Sequence, residues 1–222
     1  MAGLWLPQSV WLNVCSELER LGHRPIPVAL PGVDDTNPAA TLADQLDAVL
    51  AAVDAAARPV VVGHSAACTL AWMAADRRPD RIDSVVLIGG FPGSEGTAYA
   101  EFFSIVDGVM PFPGWVPFEG SDSEDLDDTA RTRIAEEAVA VAEGVARGVV
   151  RFGDERRFDI PVIVVCPEFT PQQAKAWIEA GDVPELAKTK SVSFVDIASG
   201  HWPMVSRPVE LAMLIDSATR KG

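Results

Sequence analysis

The five residues Gly63-His64-Ser65-Ala66-Ala67 join an apolar run, Pro59 to Val62, to a helix-like run that continues through Ala75. Ser65 therefore falls in a turn between a buried strand and a helix. A serine flanked by small residues can occupy a tight, strained turn that leaves Oγ in the open, and side chains larger than those of Gly63 and Ala67 would crowd each other across it. The competing reading is a serine that caps the helix starting at residue 66. A neutral hydroxyl is a weak nucleophile and needs a base. Three histidines are available: His23, His64 and His201. His23, in "RLGHRPIPV", reads as a solvated turn residue. His64 neighbours the serine but points the wrong way in such a turn, so it is expected to pack beside the site and help line the pocket. His201, in "FVDIASGHWPMVSRPVE", follows the last apolar run and precedes the last helical one, which puts it at the same sheet edge as Ser65.

An imidazole base needs a carboxylate to fix its tautomer and stabilise the imidazolium. Glu168, in "PVIVVCPEF", directly follows the penultimate apolar run; Asp196 is the rival but falls within or at the end of its own run. An oxyanion needs backbone donors. The Ala66 amide, at a helix N-terminus, is one candidate, and the amides of Leu4 or Trp5 in "MAGLWLPQSVW" are the other.

These residues are placed by an alternation of short apolar runs with helical periodicity. "SVWLNVCSELERLG" reads as a helix with Ser9 as its cap and Gly22 as its stop. "PIPVAL" reads as a strand. "TLADQLDAVLAAVDAAA" reads as a helix capped by Thr41, with Leu42, Leu46, Val49, Leu50 and Val53 at helical spacing. "PVVVG", "IDSVVLIGG", "IPVIVVC" and "SVSFVDI" read as strands, and "AACTLAWMAADRRP", "TPQQAKAWIEAG" and "RPVELAMLIDSAT" as helices. Trp72 and Met73 belong to the core of their helix. Near-continuous β-branched runs separated by helices indicate an α/β fold, a mostly parallel sheet covered on both faces. Residues 91–158 break the rhythm and read as a cap insertion within a single domain spanning 1–222. The insertion holds a helical stretch, "ARTRIAEEAVAVAEGVARG", and an acidic run, 121–128, that reads as a solvated flank.

Composition narrows the function. The chain has 222 residues, 48% hydrophobic, with a net charge of −14. Nucleic-acid phosphates and anionic membrane surfaces would be repelled. No run approaches the ~20 apolar residues that span a bilayer, and the first residues carry no basic-then-apolar secretory leader. Cys15, Cys68 and Cys166 form no metal-ligand spacing and lie in apolar segments, so buried free thiols and a cytoplasmic location are expected. There is no Gly-rich phosphate loop or dinucleotide fingerprint, so no cofactor and no metal are expected.

The segments "GLWLPQSVWLNVCSELERLGHRPIPVALPG", "VVVGHSAACTLAWMAA", "CPEFTPQQAKAWI" and "GHWPMVSRPVELAMLI" resemble successive landmarks of the α/β-hydrolase superfamily, most closely its small cofactor-free esterase-like members, the methylesterase and hydroxynitrile lyase group. The chain order Ser65, Glu168, His201 is that of the superfamily. The resemblance implies an eight-strand fold, a Ser-His-acid triad with Ser65 as nucleophile, His201 as base and Glu168 as acid, a cap between the sixth and seventh strands, and acyl or related carbonyl chemistry. Two departures stand out. Ala67 replaces the usual glycine of the elbow. The family also carries three strands ahead of the loop that "AGLWLP" resembles, with Ala2 and Gly3 standing at its His-Gly pair. Three arrangements follow for the sheet: a start placed too late, a rearranged sheet whose remaining strands pair directly, or a partner chain, such as a second copy in a homo-oligomer, covering the incomplete sheet.

The chemistry expected from this set is hydrolysis of a small apolar ester, thioester or lactone through an acyl-enzyme. Phe91, Phe102, Phe103, Phe112, Trp115 and Phe118 of the insertion either line an apolar pocket under a lid or form the insertion's own small core, and Trp202, next to the base, is a further pocket candidate. A lyase or perhydrolase on the same fold is the alternative within enzymes; the first lysine after Glu168 is Lys175, which argues against the lyase. A ligand- or partner-binding homologue without turnover is the alternative outside them.

Overall fold

The structure, a computed structural model, describes residues 1–219. In chain order its first half runs α1 (Leu12–Arg20), α2 (Leu42–Asp54), β1 (Val60–His64), α3 (Ala67–Arg77) and β2 (Ser84–Ile88). The middle holds β3 (Val109–Met110), α4 (Asp128–Glu137), β4 (Val141–Ala142) and α5 (Glu143–Ala146). The last third runs β5 (Val162–Cys166), α6 (Pro171–Ala180), α7 (Pro184–Ala187), β6 (Val192–Asp196), α8 (Pro203–Ser206) and α9 (Pro208–Thr219). Strands β1, β2, β5 and β6 form one parallel sheet in that spatial order.

Strand alternation sorts the sheet's side chains onto two faces. Val85, Leu87, Val162 and Val164 pack with Leu46, Val49 and Val53 of α2 and with the buried residues of α3. Val86, Ile88 and Val165 pack with Val14 and Leu18 of α1 and with Leu211 and Ile215 of α9. All five residues of β2 are buried, and each fully buried Val, Leu or Ile contributes about 1.5–3 kcal/mol. Trp72 and Met73 lie in the core, at 0% and 3% exposure. Helix α2 opens on a reciprocal cap: Asp44 N donates to Thr41 Oγ1 (3.2 Å) and Thr41 N donates to Asp44 Oδ2 (2.8 Å). Thr170 and Gln173 repeat the arrangement at α6.

Several sequence expectations change. Ser9 does not cap α1; it sits inside a 3-10 turn, Gln8–Trp11, whose opening amide, Gln8 N, donates to Asp34 Oδ1 at 2.9 Å instead. "PIPVAL" joins no ladder. Pro25 and Pro27 lack amide donors, and a groove of about 730 Å³, lined in part by Pro25, Ile26, Val28 and Val60–Val62, lies between this segment and β1. The segment therefore does not pair with β1, and β1 is an edge strand. Among the described residues only Met1 hydrogen-bonds on its open side, donating from N to Val62 O (2.7 Å) and accepting from His64 N (3.3 Å), the register of a parallel neighbour. The resemblance implied eight strands; among the described residues the main sheet has four.

In segment 91–158, β3 and β4 pair antiparallel. The helical stretch expected over residues 130–148 divides: α4 ends at Glu137, Ala138 turns extended, and Val141 and Ala142 enter the small sheet. Tertiary contacts override helical periodicity here, because Val139 N donates to Trp5 O (2.9 Å) and Val141 and Ala142 are buried. His23 is not a solvated turn residue; its Nε2 meets Asp216 Oδ1 of α9 at 2.8 Å. Cys68 and Cys166 are buried free thiols, whereas Cys15 is only half-buried.

Candidate active site

The sequence builds the site at the carboxyl ends of three parallel strands, where open α/β sheets place their ligands. Ser65 follows β1 directly with φ +55°, a left-handed conformation rare for a residue with a side chain. Its amide donates to Ile88 O at 2.8 Å, and its carbonyl accepts from Cys68 N at 2.9 Å as α3 begins. A Cβ on Gly63 would lie 2.7 Å from the Ala67 carbonyl carbon, so the helix can start this close to the strand only over a glycine. Backbone strain held in place by surrounding hydrogen bonds clusters at functional sites. The turn also differs from an ordinary cap: the N-cap position of α3 is held by Ala66, which has no side-chain acceptor.

Glu168 lies two residues beyond β5 and His201 five beyond β6. His201 Nδ1 and Glu168 Oε1 are 2.7 Å apart, with side chains 14% and 15% exposed. Because a carboxylate only accepts, Nδ1 carries the proton and Nε2 is left as the basic nitrogen. Both groups close on Gly89, whose Cβ would lie 3.3 Å from His201 Nδ1 and 3.4 Å from Glu168 Oε2, while a Cβ on Gly90 would lie 2.7 Å from Ser65 O. Ser65, His201 and Glu168 thus converge on one glycine pair. Among the described residues no hydrogen bond joins Ser65 Oγ to His201; such bonds are often long without substrate. Asp196, the rival acid, is exposed at the end of β6.

Trp5 has φ +65°, a second strained non-glycine residue beside the first. Its indole Nε1 donates to Met110 O (3.1 Å) and its carbonyl accepts from Val139 N (2.9 Å), so the 91–158 segment holds this loop at two points. The amides of Leu4, Trp5 and Ala66 donate to no acceptor among the described residues.

Aromatic rings surround this centre. Phe103, Phe112 and Phe118 pack on Trp5 at 5.6, 5.5 and 6.1 Å between centroids. Trp115 meets Trp202 edge-on at 5.2 Å, and Trp202 meets His201 at 5.0 Å. Phe91 stacks on Phe169 at 5.4 Å and touches Trp177. Phe102 is exposed.

His64 does not line a pocket wall: it is 1% exposed, with Nε2 2.7 Å from His201 O. Burial, then the neighbouring His201, hold its pKa well below 6.5. The acidic run is a solvated flank only in part: Ser121, Glu124, Asp127 and Asp128 are exposed. Ser123 and Leu126 are buried, both Asp125 carboxylate oxygens are shielded without a partner, and Asp122 O accepts from His201 N at 2.7 Å. Burial, then the Glu168 charge, raise the Asp122 pKa. Sequence reasoning missed this turn because its contact runs through a main-chain carbonyl, which leaves no residue-type signal; Leu126 alone hinted that the run has an inner side. Among the described residues no His, Cys, Asp and Glu group is arranged to hold a metal ion, and no helix is long and apolar enough to cross a membrane.

A parallel sheet with a strained serine elbow after one strand and a carboxylate and histidine after two others defines the α/β-hydrolase class. The chain belongs to the alpha/beta hydrolase family, whose pattern matches residues 2–214. No curated protein is similar enough to count as a match. Among solved structures, the chain is similar to an extracellular α/β-hydrolase from a Paenibacillus species (16% identity, TM-score 0.75, covering 98% of this chain and 96% of that one). It is likewise similar to a polyneuridine aldehyde esterase (14%, TM-score 0.74, 98% and 96%). A third likeness is to a pyrethroid hydrolase from Sphingobium faniae (16%, TM-score 0.73, 100% and 97%). At these identities the likeness is one of fold.

Proposed function

We propose that the protein is a serine hydrolase that cleaves a small apolar ester, thioester or lactone through an acyl-enzyme. The 2.7 Å pairing of His201 Nδ1 with Glu168 Oε1, at the sheet edge that carries the strained Ser65, is the observation that supports this reading most. Two of the structural neighbours are named as an esterase and a hydrolase, which agrees with it. In this mechanism His201 Nε2 takes the Ser65 proton as Oγ attacks the carbonyl carbon. The oxyanion is received by the Ala66 amide and by the amide of Leu4 or Trp5, at the positive end of α3. His201 then passes its proton to the leaving group and activates water for deacylation, while Glu168 stays ionised and holds the ring. Segment 91–158 acts as a cap within the single domain, and its rings with Trp202 form the apolar wall for the acyl or alcohol part.

The test is labelling by a fluorophosphonate probe together with turnover of p-nitrophenyl esters of increasing chain length. The expected result is labelling and turnover in the wild type and neither in Ser65→Ala. A folded wild type that neither labels nor turns over any ester would refute the assignment.

A further inference from the structure

The main chain of His201 is held from two sides. On one, His64 Nε2 lies 2.7 Å from the His201 carbonyl oxygen. A carbonyl only accepts, so Nε2 is the donor and the ring's proton sits there. On the other, His201 N donates to the carbonyl of Asp122 at 2.7 Å. That turn is itself pinned: Arg131 Nη2 donates to Ser123 O at 2.6 Å, and Ser123 Oγ donates to Phe118 O at 2.7 Å. The approach is close enough to demand glycine before the histidine, since a Cβ on Gly200 would lie 2.8 Å from the Asp122 carbonyl carbon and 2.5 Å from Asp125 Oδ1.

The two contacts come from different parts of the chain. His64 is adjacent to Ser65, and its Nδ1 lies where a Cβ on Gly3 would touch it at 2.9 Å. The imidazole therefore fills the space between the loop that bears the Leu4 and Trp5 amides and the loop that bears His201. Among the described residues its Nδ1 has no hydrogen-bond partner, so Nε2 makes the ring's one hydrogen bond.

We propose that His64 is a positioning residue for the reaction: its Nε2–H fixes the His201 carbonyl, and with it the direction of the His201 ring, against the hold of the Asp122 carbonyl from the cap side. The inference rests on His201 acting as the base. The ring is aimed by Glu168 through Nδ1, but a carboxylate can orient a ring only if the ring's own peptide is fixed. His64 supplies that fixation from the nucleophile's side, so Ser65 and His201 are kept in register by neighbouring residues of one pentapeptide. A displacement near 1 Å at a reacting group costs about 100-fold in rate.

The experiment compares the whole protein with His64→Met, which fills the space without a donor, and His64→Gln, whose side-chain amide can donate to the same carbonyl. Folding is checked by thermal unfolding. The expected result is a fall in kcat of about 100-fold for His64→Met with KM within a factor of three, and recovery to within tenfold of wild type for His64→Gln. The second readout needs no activity: the downfield proton resonance of the His201–Glu168 hydrogen bond should be sharp in the wild type and in His64→Gln and lost in His64→Met. A folded His64→Met with full kcat, or one that keeps the sharp resonance, overturns the proposal. So does a His64→Gln no better than His64→Met in both readouts. Ser65→Ala and probe labelling of the wild type report separately on the hydrolase reading, so its failure would leave the resonance comparison to score His64 alone.

Discussion

His64, a buried ring beside Ser65, ties the stability of the fold to pH. Its folded pKa lies well below 6.5 because burial disfavours the imidazolium and His201 repels it. In the unfolded chain the ring binds a proton as pH falls through about 6.5, while in the folded protein it does not, so the unfolded state takes up more protons and stability drops on acidification. This contribution is complete above pH 6.5 and is lost below it, at up to about 1.4 kcal/mol per pH unit. Thermal unfolding at pH 7.5 and pH 5.5 should show a larger drop in Tm for the wild type than for His64→Gln; equal drops would mean the ring is protonated in the fold. Glu168 offers a second comparison at this scale. Glu168→Gln keeps the size of the side chain but removes the charge that stabilises an imidazolium, and by analogy with triads generally kcat should fall by roughly 10³–10⁴ with the fold intact. Steady-state kinetics decide it, and a loss under tenfold would point to another acid.

At the scale of elements, the far side of α3 from the sheet edge is tied down by buried charge. Arg157 Nε donates to Glu185 Oε2 at 2.9 Å and Nη1 to Asp76 Oδ1 at 3.2 Å, and Trp72 Nε1 donates to the same Glu185 oxygen at 2.9 Å. Asp76 also accepts from Gly153 N and Asp154 N, both at 2.8 Å. The network joins α3, α7 and the chain leading into β5. Removing the cation leaves the buried Glu185 carboxylate with the Trp72 indole but no counter-charge, while Asp76 keeps Arg77 and two amides, so Arg157→Ala should destabilise by about 3–5 kcal/mol, whereas the surface pair of Arg20 and Glu17 is worth under about 1 kcal/mol. Urea unfolding of the two alanine variants separates these values. None of this network was visible in the sequence, because its members are scattered from Trp72 to Glu185 and carry no common period. The strands and long helices were legible for the opposite reason: their apolar spacing repeats within each element, and Thr41 announces its cap locally. "PIPVAL" was misread because a strand also needs a neighbour to pair with. The break after Glu137 was missed because the demand came from Trp5, far away in sequence. The candidate site was legible where its members follow strands, as Ser65, Glu168 and His201 do. It was illegible where it works through carbonyls, as at Asp122.

At the scale of the molecule, the sheet has one covered face on each side but an open flank at β1, beside an apolar groove of about 730 Å³. An exposed strand edge is a template for pairing with another chain. The net charge of −14 opposes such contact between copies at low ionic strength, and salt screens that repulsion. We therefore expect the mass measured by light scattering to rise with salt between roughly 0.05 and 0.5 M, where the Debye length shortens severalfold. Ile26→Lys, at the half-exposed rim of the groove, should prevent the rise. A constant monomeric mass in both proteins would rule out association through this flank.

The opposite border of the same sheet is β6, so the molecule has two unlike borders. Two copies meeting β1 to β1 are related by a twofold axis, which forces their strands to run antiparallel and leaves no free β1 behind. The result is a closed pair. A copy that offers β6 to the β1 of the next would extend the parallel sheet in one direction and leave the same two borders exposed at its ends, as an open row that grows with concentration. Which border β1 meets thus decides between a soluble dimer and a fibre built from the same surface.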